Sequence, residues 1–141
     1  MTRSILAPLV LVATLAANTG CSRTSQATAA PSTPSGPPTP ADLLGSWVID
    51  LRQSPEDAPA STTMVIEHAD GGTLRGSFYQ SSLEQGRVKA LGDEVYFSFV
   101  TEDGSGPYFT AGRLGPDGTL RGMTNSTGRD FLNVWTGRRA P

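Results

Sequence analysis

Trp47-Val48-Ile49-Asp50-Leu51-Arg52 sets Trp47, Ile49 and Leu51 two residues apart, with Val48, Asp50 and Arg52 falling on the alternate positions. Side chains of an extended chain point to opposite faces in turn, so the stretch reads as a strand with one core-facing side. The same period brings Val95, Phe97 and Phe99 together in Val95-Tyr96-Phe97-Ser98-Phe99, and Phe131, Asn133 and Trp135 together near the end of the chain. Strands are predicted near 45–52, 61–69, 73–80, 85–91, 94–101, 106–115, 119–126 and 130–138. No convincing helical period interrupts them, although residues 41–44 have room for one helical turn.

The gaps between these strands carry turn chemistry. Asp70-Gly71-Gly72, Gly92-Asp93, Asp103-Gly104-Ser105-Gly106, Gly115-Pro116-Asp117-Gly118 and Thr127-Gly128 supply the positive φ angles that short hairpins need. Residues 53–60 form the one longer loop, with Pro55 and Pro59 keeping it out of a sheet. Asp70-Gly-Gly-Thr-Leu-Arg-Gly76 is echoed by Asp117-Gly-Thr-Leu-Arg-Gly122, an offset of about 46 residues that maps the second strand on the sixth. The expected fold is therefore all-β: an eight-stranded antiparallel up-and-down meander. Closure into a barrel would remove exposed edges; two packed sheets are the other arrangement that this pattern allows.

Composition divides the rest of the chain. Residues 41–141 hold both tryptophans, every Phe and Tyr and all 13 acidic residues, so only this segment can build a core. Residues 22–40 are Ser, Thr, Ala, Gln and Pro with one Gly and one charge, Arg23, a composition expected to remain a disordered tether. Met1-Thr2-Arg3 precedes an apolar run from Ile5 to Ala17, too short for a membrane span. Asn18-Thr19-Gly20-Cys21 then ends at the single cysteine.

This arrangement resembles the lipobox of bacterial lipoproteins, with Asn18 where that family favours Leu. The resemblance implies a signal peptide over 1–20, lipid such as palmitate on Cys21, a tether over 21–40 and a domain over 41–141. It also implies a place in the bacterial cell envelope, at the outer membrane if the host has one, because Ser22 stands where an inner-membrane retention signal would have Asp. An ordinary secretory signal cut near Ala16 or Ala17 is the alternative.

Leu44-Gly45-Ser46-Trp47 is similar to the G-x-W that opens the first strand of calycins, the lipocalin-like small barrels, and Trp135-Thr136-Gly137-Arg138-Arg139 to their terminal Trp and Arg. The resemblance implies a cation–π contact between Arg138 and Trp47, worth about 0.5–2 kcal/mol. The domain is much shorter than a typical lipocalin, which argues against a large cavity.

Chemistry is sparse. One histidine, His68, and one cysteine outside the domain leave no basis for a His-pair metal site, a Ser-His-Asp triad or a Cys–His pair, and no catalytic residue, metal or cofactor is expected. Glu56-Asp57, Asp93-Glu94 and Glu102-Asp103 are adjacent pairs in predicted loops or turns, which suits solubility better than a shared acid–base centre. Asn125-Ser126-Thr127 matches a glycosylation sequon that a bacterial signal makes coincidental. Lys89 is the only lysine and no Lys/Arg run exists, so nucleic acid is not an expected partner.

The sequence thus points to a monomeric, non-enzymatic binding or interaction module held at the membrane through Cys21. One version is a protein-interaction domain with a filled interior and an exposed aromatic patch, for which Tyr79, Tyr96 and Tyr108 are candidates. The other carries a small apolar ligand among Trp47, Phe78, Phe97, Phe99 and Trp135, which otherwise pack the core. An enzyme would need a buried charge with a perturbed pKa, such as Asp50 or Arg113.

Overall fold

The alternating segments do form strands, and the strands close on themselves. The structure is a computed structural model that describes residues 36–141; the expected signal peptide, Cys21 and most of the tether lie outside the described residues. A short 3₁₀ helix, Pro40–Leu43, leads into β1 (Gly45–Asp50), β2 (Ser61–Asp70), β3 (Thr73–Phe78), β4 (Ser81–Ser82), β5 (Glu84–Leu91), β6 (Glu94–Asp103), β7 (Gly106–Leu114), β8 (Leu120–Ser126) and β9 (Phe131–Arg139). Neighbouring strands pair antiparallel, except that β5 pairs with β3 and β4 pairs only with β3; β1 pairs with β9, so eight strands make a closed up-and-down barrel with β4 as an extra strand. Closure settles the choice between barrel and sandwich.

The predicted boundaries move by one or two residues, β1 ending at Asp50 and not at residue 52, and one of these shifts changes the path of the chain. The third segment does not run straight to residue 80: Tyr79 and Gln80 turn the chain, and Phe78 pairs with Ser81 to make the short β4. The bends continue in a register shift between Glu84 and Arg87 on β5.

Inward parity selects the core. Trp47, Ile49, Met64, Ile66, Leu74, Phe78, Val95, Phe97, Phe99, Leu114, Leu120 and Trp135 are buried, and Leu43 joins them from the 3₁₀ helix. A small barrel can hold rings this large only where the facing positions are small. The register supplies them: Phe97 lies opposite Gly112, Trp135 opposite Gly122 and Ile49 opposite Gly137. A Cβ on Gly122 would stand 2.4 Å from the Trp135 ring. In the repeated Leu-Arg-Gly units, Leu74 and Leu120 are both in the core.

The buried cluster falls within these strands and the 3₁₀ helix, with Leu83 joining it from between β4 and β5, and residues 36–141 belong to one compact unit. With its own core and a closed barrel, this segment has what a domain needs to fold by itself.

Candidate functional site

The two ends of the barrel differ. At the end where β1 begins, Leu43 is fully buried and its carbonyl accepts a hydrogen bond from Trp47 Nε1 at 2.8 Å. The guanidinium of Arg139 stands 4.3 Å from the Trp47 ring centroid and donates to the carbonyls of Asp42, at 2.5 Å, and Leu44. Gly45 adopts φ of +108°, and a Cβ there would meet Arg139 at 2.9 Å, which explains the glycine of the G-x-W motif. This end is plugged.

The expected partner of Trp47 was Arg138, and the structure corrects it to Arg139. Trp135, Gly137 and Arg139 share the inner parity of β9, and Arg139 is the residue in register with Trp47. Arg138 pairs with Val48 and faces outward, beside an open groove that also contains Asp50 and Arg52.

At the other end the inward positions turn polar and leave a cavity of about 300 Å³. Its walls are Leu51, Phe78, Tyr79, Tyr108 and Phe131, while Thr101, Thr124 and Asn133 contribute polar groups. Thr124 Oγ1 accepts a hydrogen bond from Trp135 Nε1 at 3.1 Å and lies 3.0 Å from Thr110 Oγ1. Thr101 is only 5% exposed and its side chain lines this cavity. Among the described residues, the buried side-chain oxygen that lacks a hydrogen-bond partner is Ser126 Oγ, the next inward position of β8 after Thr124.

The rim carries a small polar network. Tyr108 donates its phenolic proton to Asp103 Oδ2 at 2.9 Å, and the Ser105 amide donates to Asp103 Oδ1 at 2.7 Å. Arg129 donates to Ser105 Oγ at 2.7 Å, lies 3.7 Å from Asp103 and stands 5.7 Å from the Tyr108 ring centroid. The Ser105 amide, the Tyr108 hydroxyl and Arg129 hold the Asp103 carboxyl below its ordinary pKa. Burial pushes the Tyr79 phenol up. Arg129 and Asp103 offset one another, so the rim presents no unpaired charge from this pair.

Of the residues singled out in the sequence, Phe78 lines this cavity, whereas Phe97, Phe99 and Trp135 fill the barrel beneath and Trp47 seals the far end. Phe78 and Phe99 meet edge to face at 5.8 Å, and Phe97 and Phe99 stack at 6.2 Å. Thr101, Arg129, Phe131 and Asn133 belong to the site as well. Parity in the sequence already places Phe131 and Asn133 on the face of Trp135, and it could have found Thr101, which continues the face of Phe97 and Phe99. Their common end follows once the strands run up and down. Arg129 sits in a turn and carries no such signal.

The three tyrosines do not form one patch. Tyr79 and Tyr108 stand at the mouth, while Tyr96 lies on the outer wall and donates to Glu94, which also binds Arg113 at 2.7 Å. The exposed apolar surface lies elsewhere, on the outer faces of β7, β8 and β9. Phe109, Met123, Leu132 and Val134 are each at least half exposed there, and Met123 is in register with Val134.

Neither proposed catalytic charge is buried: Asp50 is bound by Arg52, which pulls its pKa down to about 2, and Arg113 is exposed beside Glu94. His68 is exposed on β2. Among the described residues, no group of three His, Cys, Asp or Glu side chains could hold a metal ion.

The architecture defines a class: a small, closed antiparallel barrel, plugged at one end and open at the other. No protein-family model matches this chain, nor does any curated protein or solved structure.

Proposed function

We propose that this chain is a membrane-tethered, non-enzymatic binding module of the bacterial cell envelope, whose open barrel mouth takes one small, largely apolar molecule. The observation that carries this reading is the division of the barrel: a packed interior under an open cavity of about 300 Å³ with aromatic walls and the hydroxyl-bearing Thr101 and Thr124 in its lining. That volume lies at the small end of the range for ligand sites, about 300–1,000 Å³. A long lipid chain has no room to descend, because Phe97, Phe99 and Trp135 occupy the space below. The calycin-like motifs and the lipobox-like Cys21 support the module and its tether, respectively. A barrel without open edges also supports a monomer.

Native mass spectrometry of residues 36–141, exported and purified without detergent, tests the binding. A reproducible added mass that is lost on denaturation is expected. A bare polypeptide mass that survives incubation with metabolite and lipid mixtures would count against it. For the tether, Cys21→Ala in the full chain should move the protein from the membrane fraction to the soluble fraction, and retention in the membrane would sink the lipoprotein reading.

A second reading rests on the outer apolar face of β7–β9. Four half-exposed apolar side chains on adjacent strands are a feature of protein-interaction surfaces. A bare mass together with specific cross-linking through Phe109 or Val134 to an envelope protein would favour it.

A further inference from the structure

We infer that Tyr79 is the residue through which the mouth grips its ligand, a neutral planar aromatic molecule with one hydrogen-bonding group; this rests on the mouth reading above. The argument starts from the backbone. Strand β3 has a two-residue hairpin at each end. Asp70 and Thr73 pair around Gly71-Gly72, with φ of 56° and 77°, and Phe78 and Ser81 pair around Tyr79-Gln80, with φ of 52° and 65°. Positive φ at both central residues is the pattern of the type I′ turn, which matches the twist of the flanking strands and favours Asn-Gly or Gly-Gly. Glycine enters it freely; a residue with a Cβ is crowded there.

Among the described residues, the other non-glycine positions at positive φ are Gln85, beside the register shift of β5, and Asp130, a residue type that tolerates this region. Tyr79 is the largest of these side chains. The fold gains little from it. Tyr79 is 54% exposed, its ring meets Phe78 edge-on at 4.9 Å, and its side chain makes no hydrogen bond among the described residues. A strained residue whose side chain adds little to packing is a mark of a functional position.

The surroundings indicate what the ring meets. Tyr79 lines the same cavity as Tyr108 and Phe131, together with Thr101, Thr124 and Asn133. Aromatic faces favour a flat ring, and the few polar side chains among them favour a polar substituent on it. Arg129 and Asp103 already satisfy each other, and Glu102, the remaining rim carboxylate, is exposed, so no buried charge awaits a charged ligand. The cavity has the volume of about ten water molecules at roughly 30 Å³ each, enough for two fused rings.

The test replaces the strained pair by the pair that the turn favours, Tyr79→Asn with Gln80→Gly, in residues 36–141. The probe is 2-naphthol, titrated against backbone amide NMR signals. The expected result has two opposite signs: the unfolding midpoint rises by about 4–8 °C, while affinity falls about three- to tenfold. Tyr79→Phe, which keeps ring and turn, should retain the affinity of the parent. Unchanged affinity in the Asn-Gly variant, with the parent binding at Thr101 and Phe131, would overturn the role of Tyr79 and leave the mouth reading standing. A fall in the unfolding midpoint would make Tyr79 a structural residue and overturn the inference as well. Absence of binding by the parent at millimolar probe would remove the mouth as an aromatic site, and this inference with it.

Discussion

The plugged end and the open end are built from the same strands, and the same inward parity changes character between them. Along β6 it runs from Val95 through Phe97 and Phe99 to Thr101; along β7, in the opposite direction, from Leu114 through Gly112 and Thr110 to Tyr108. Along β8 it runs from Leu120 through Gly122 to Thr124 and Ser126. Each of these strands buries hydrocarbon at one end and hydroxyl groups at the other. Burying an apolar side chain stabilises the fold by about 1.5–3 kcal/mol, whereas a buried hydroxyl without a partner costs about 1–3 kcal/mol. The open end therefore contributes less to stability and keeps polar groups uncommitted, the combination expected of a binding region.

Truncation at each end should separate the two most clearly. Trp47→Ala removes a ring that is 1% exposed, the hydrogen bond to Leu43 and the platform for Arg139, and should destabilise the domain by about 3–5 kcal/mol in urea unfolding. Phe131→Ala, at the mouth, removes a ring that is 37% exposed and should cost only about 1 kcal/mol. Equal losses would erase the distinction between the ends. The plug also discriminates between its two neighbouring arginines. Arg139→Ala should cost about 0.5–2 kcal/mol and Arg138→Ala less than about 0.5 kcal/mol.

A finer comparison uses two inward threonines near the mouth, Thr124 in register with Thr110 and Thr101 in register with Tyr108. Thr124 accepts the proton of Trp135 Nε1, so Thr124→Val strands a buried donor and should cost about 1–3 kcal/mol. Thr101 lines the open cavity, so Thr101→Val should be neutral or slightly stabilising, within about 1 kcal/mol. The same change should weaken 2-naphthol binding. A large loss of stability from Thr101→Val would show that its hydroxyl is committed to the fold.

Much of this arrangement was legible in the sequence because it rests on period-2 alternation and turn residues. Trp47, Val95, Phe97, Phe99 and Trp135 face inward because each sits on an apolar parity, and the Gly-rich turns mark where strands reverse. The exchange of Arg138 for Arg139 shows what a motif resemblance misses: the parity of β9 itself, counted from Trp135, leads to Arg139. The turn at Tyr79-Gln80 was not legible, since neither residue announces a left-handed backbone and the preceding alternation continues through Phe78. Nor was the mouth as a site. Its residues come from several strand ends and one turn, brought together only by closure of the barrel.

The smallest effect should appear in acid, and it again sets one end against the other. Asp42 belongs to the plug, where the Thr39 amide and hydroxyl, each 2.7 Å from its carboxylate, and the nearby Arg139 hold its pKa below the usual 3.8. Asp103 belongs to the rim and is lowered by the Ser105 amide, the Tyr108 hydroxyl and Arg129. A carboxyl whose pKa is lower folded than unfolded stabilises the native state above the unfolded pKa, and that contribution is lost as pH falls through the folded pKa. Both contributions should therefore be complete at neutral pH and fade below about pH 4, the ordinary carboxylate range. Carboxyl-carbon NMR titration should give both aspartates midpoints below 3.8. The two ends should then diverge: protonating Asp42 loosens the 3₁₀ plug and shifts the Trp47 indole signal, while protonating Asp103 releases Tyr108 and Arg129 and shifts amides at the mouth. Asp42→Asn should abolish the first response alone and Asp103→Asn the second alone. Loss of both responses in either variant would mean that the two ends unfold together in acid and are one cooperative unit.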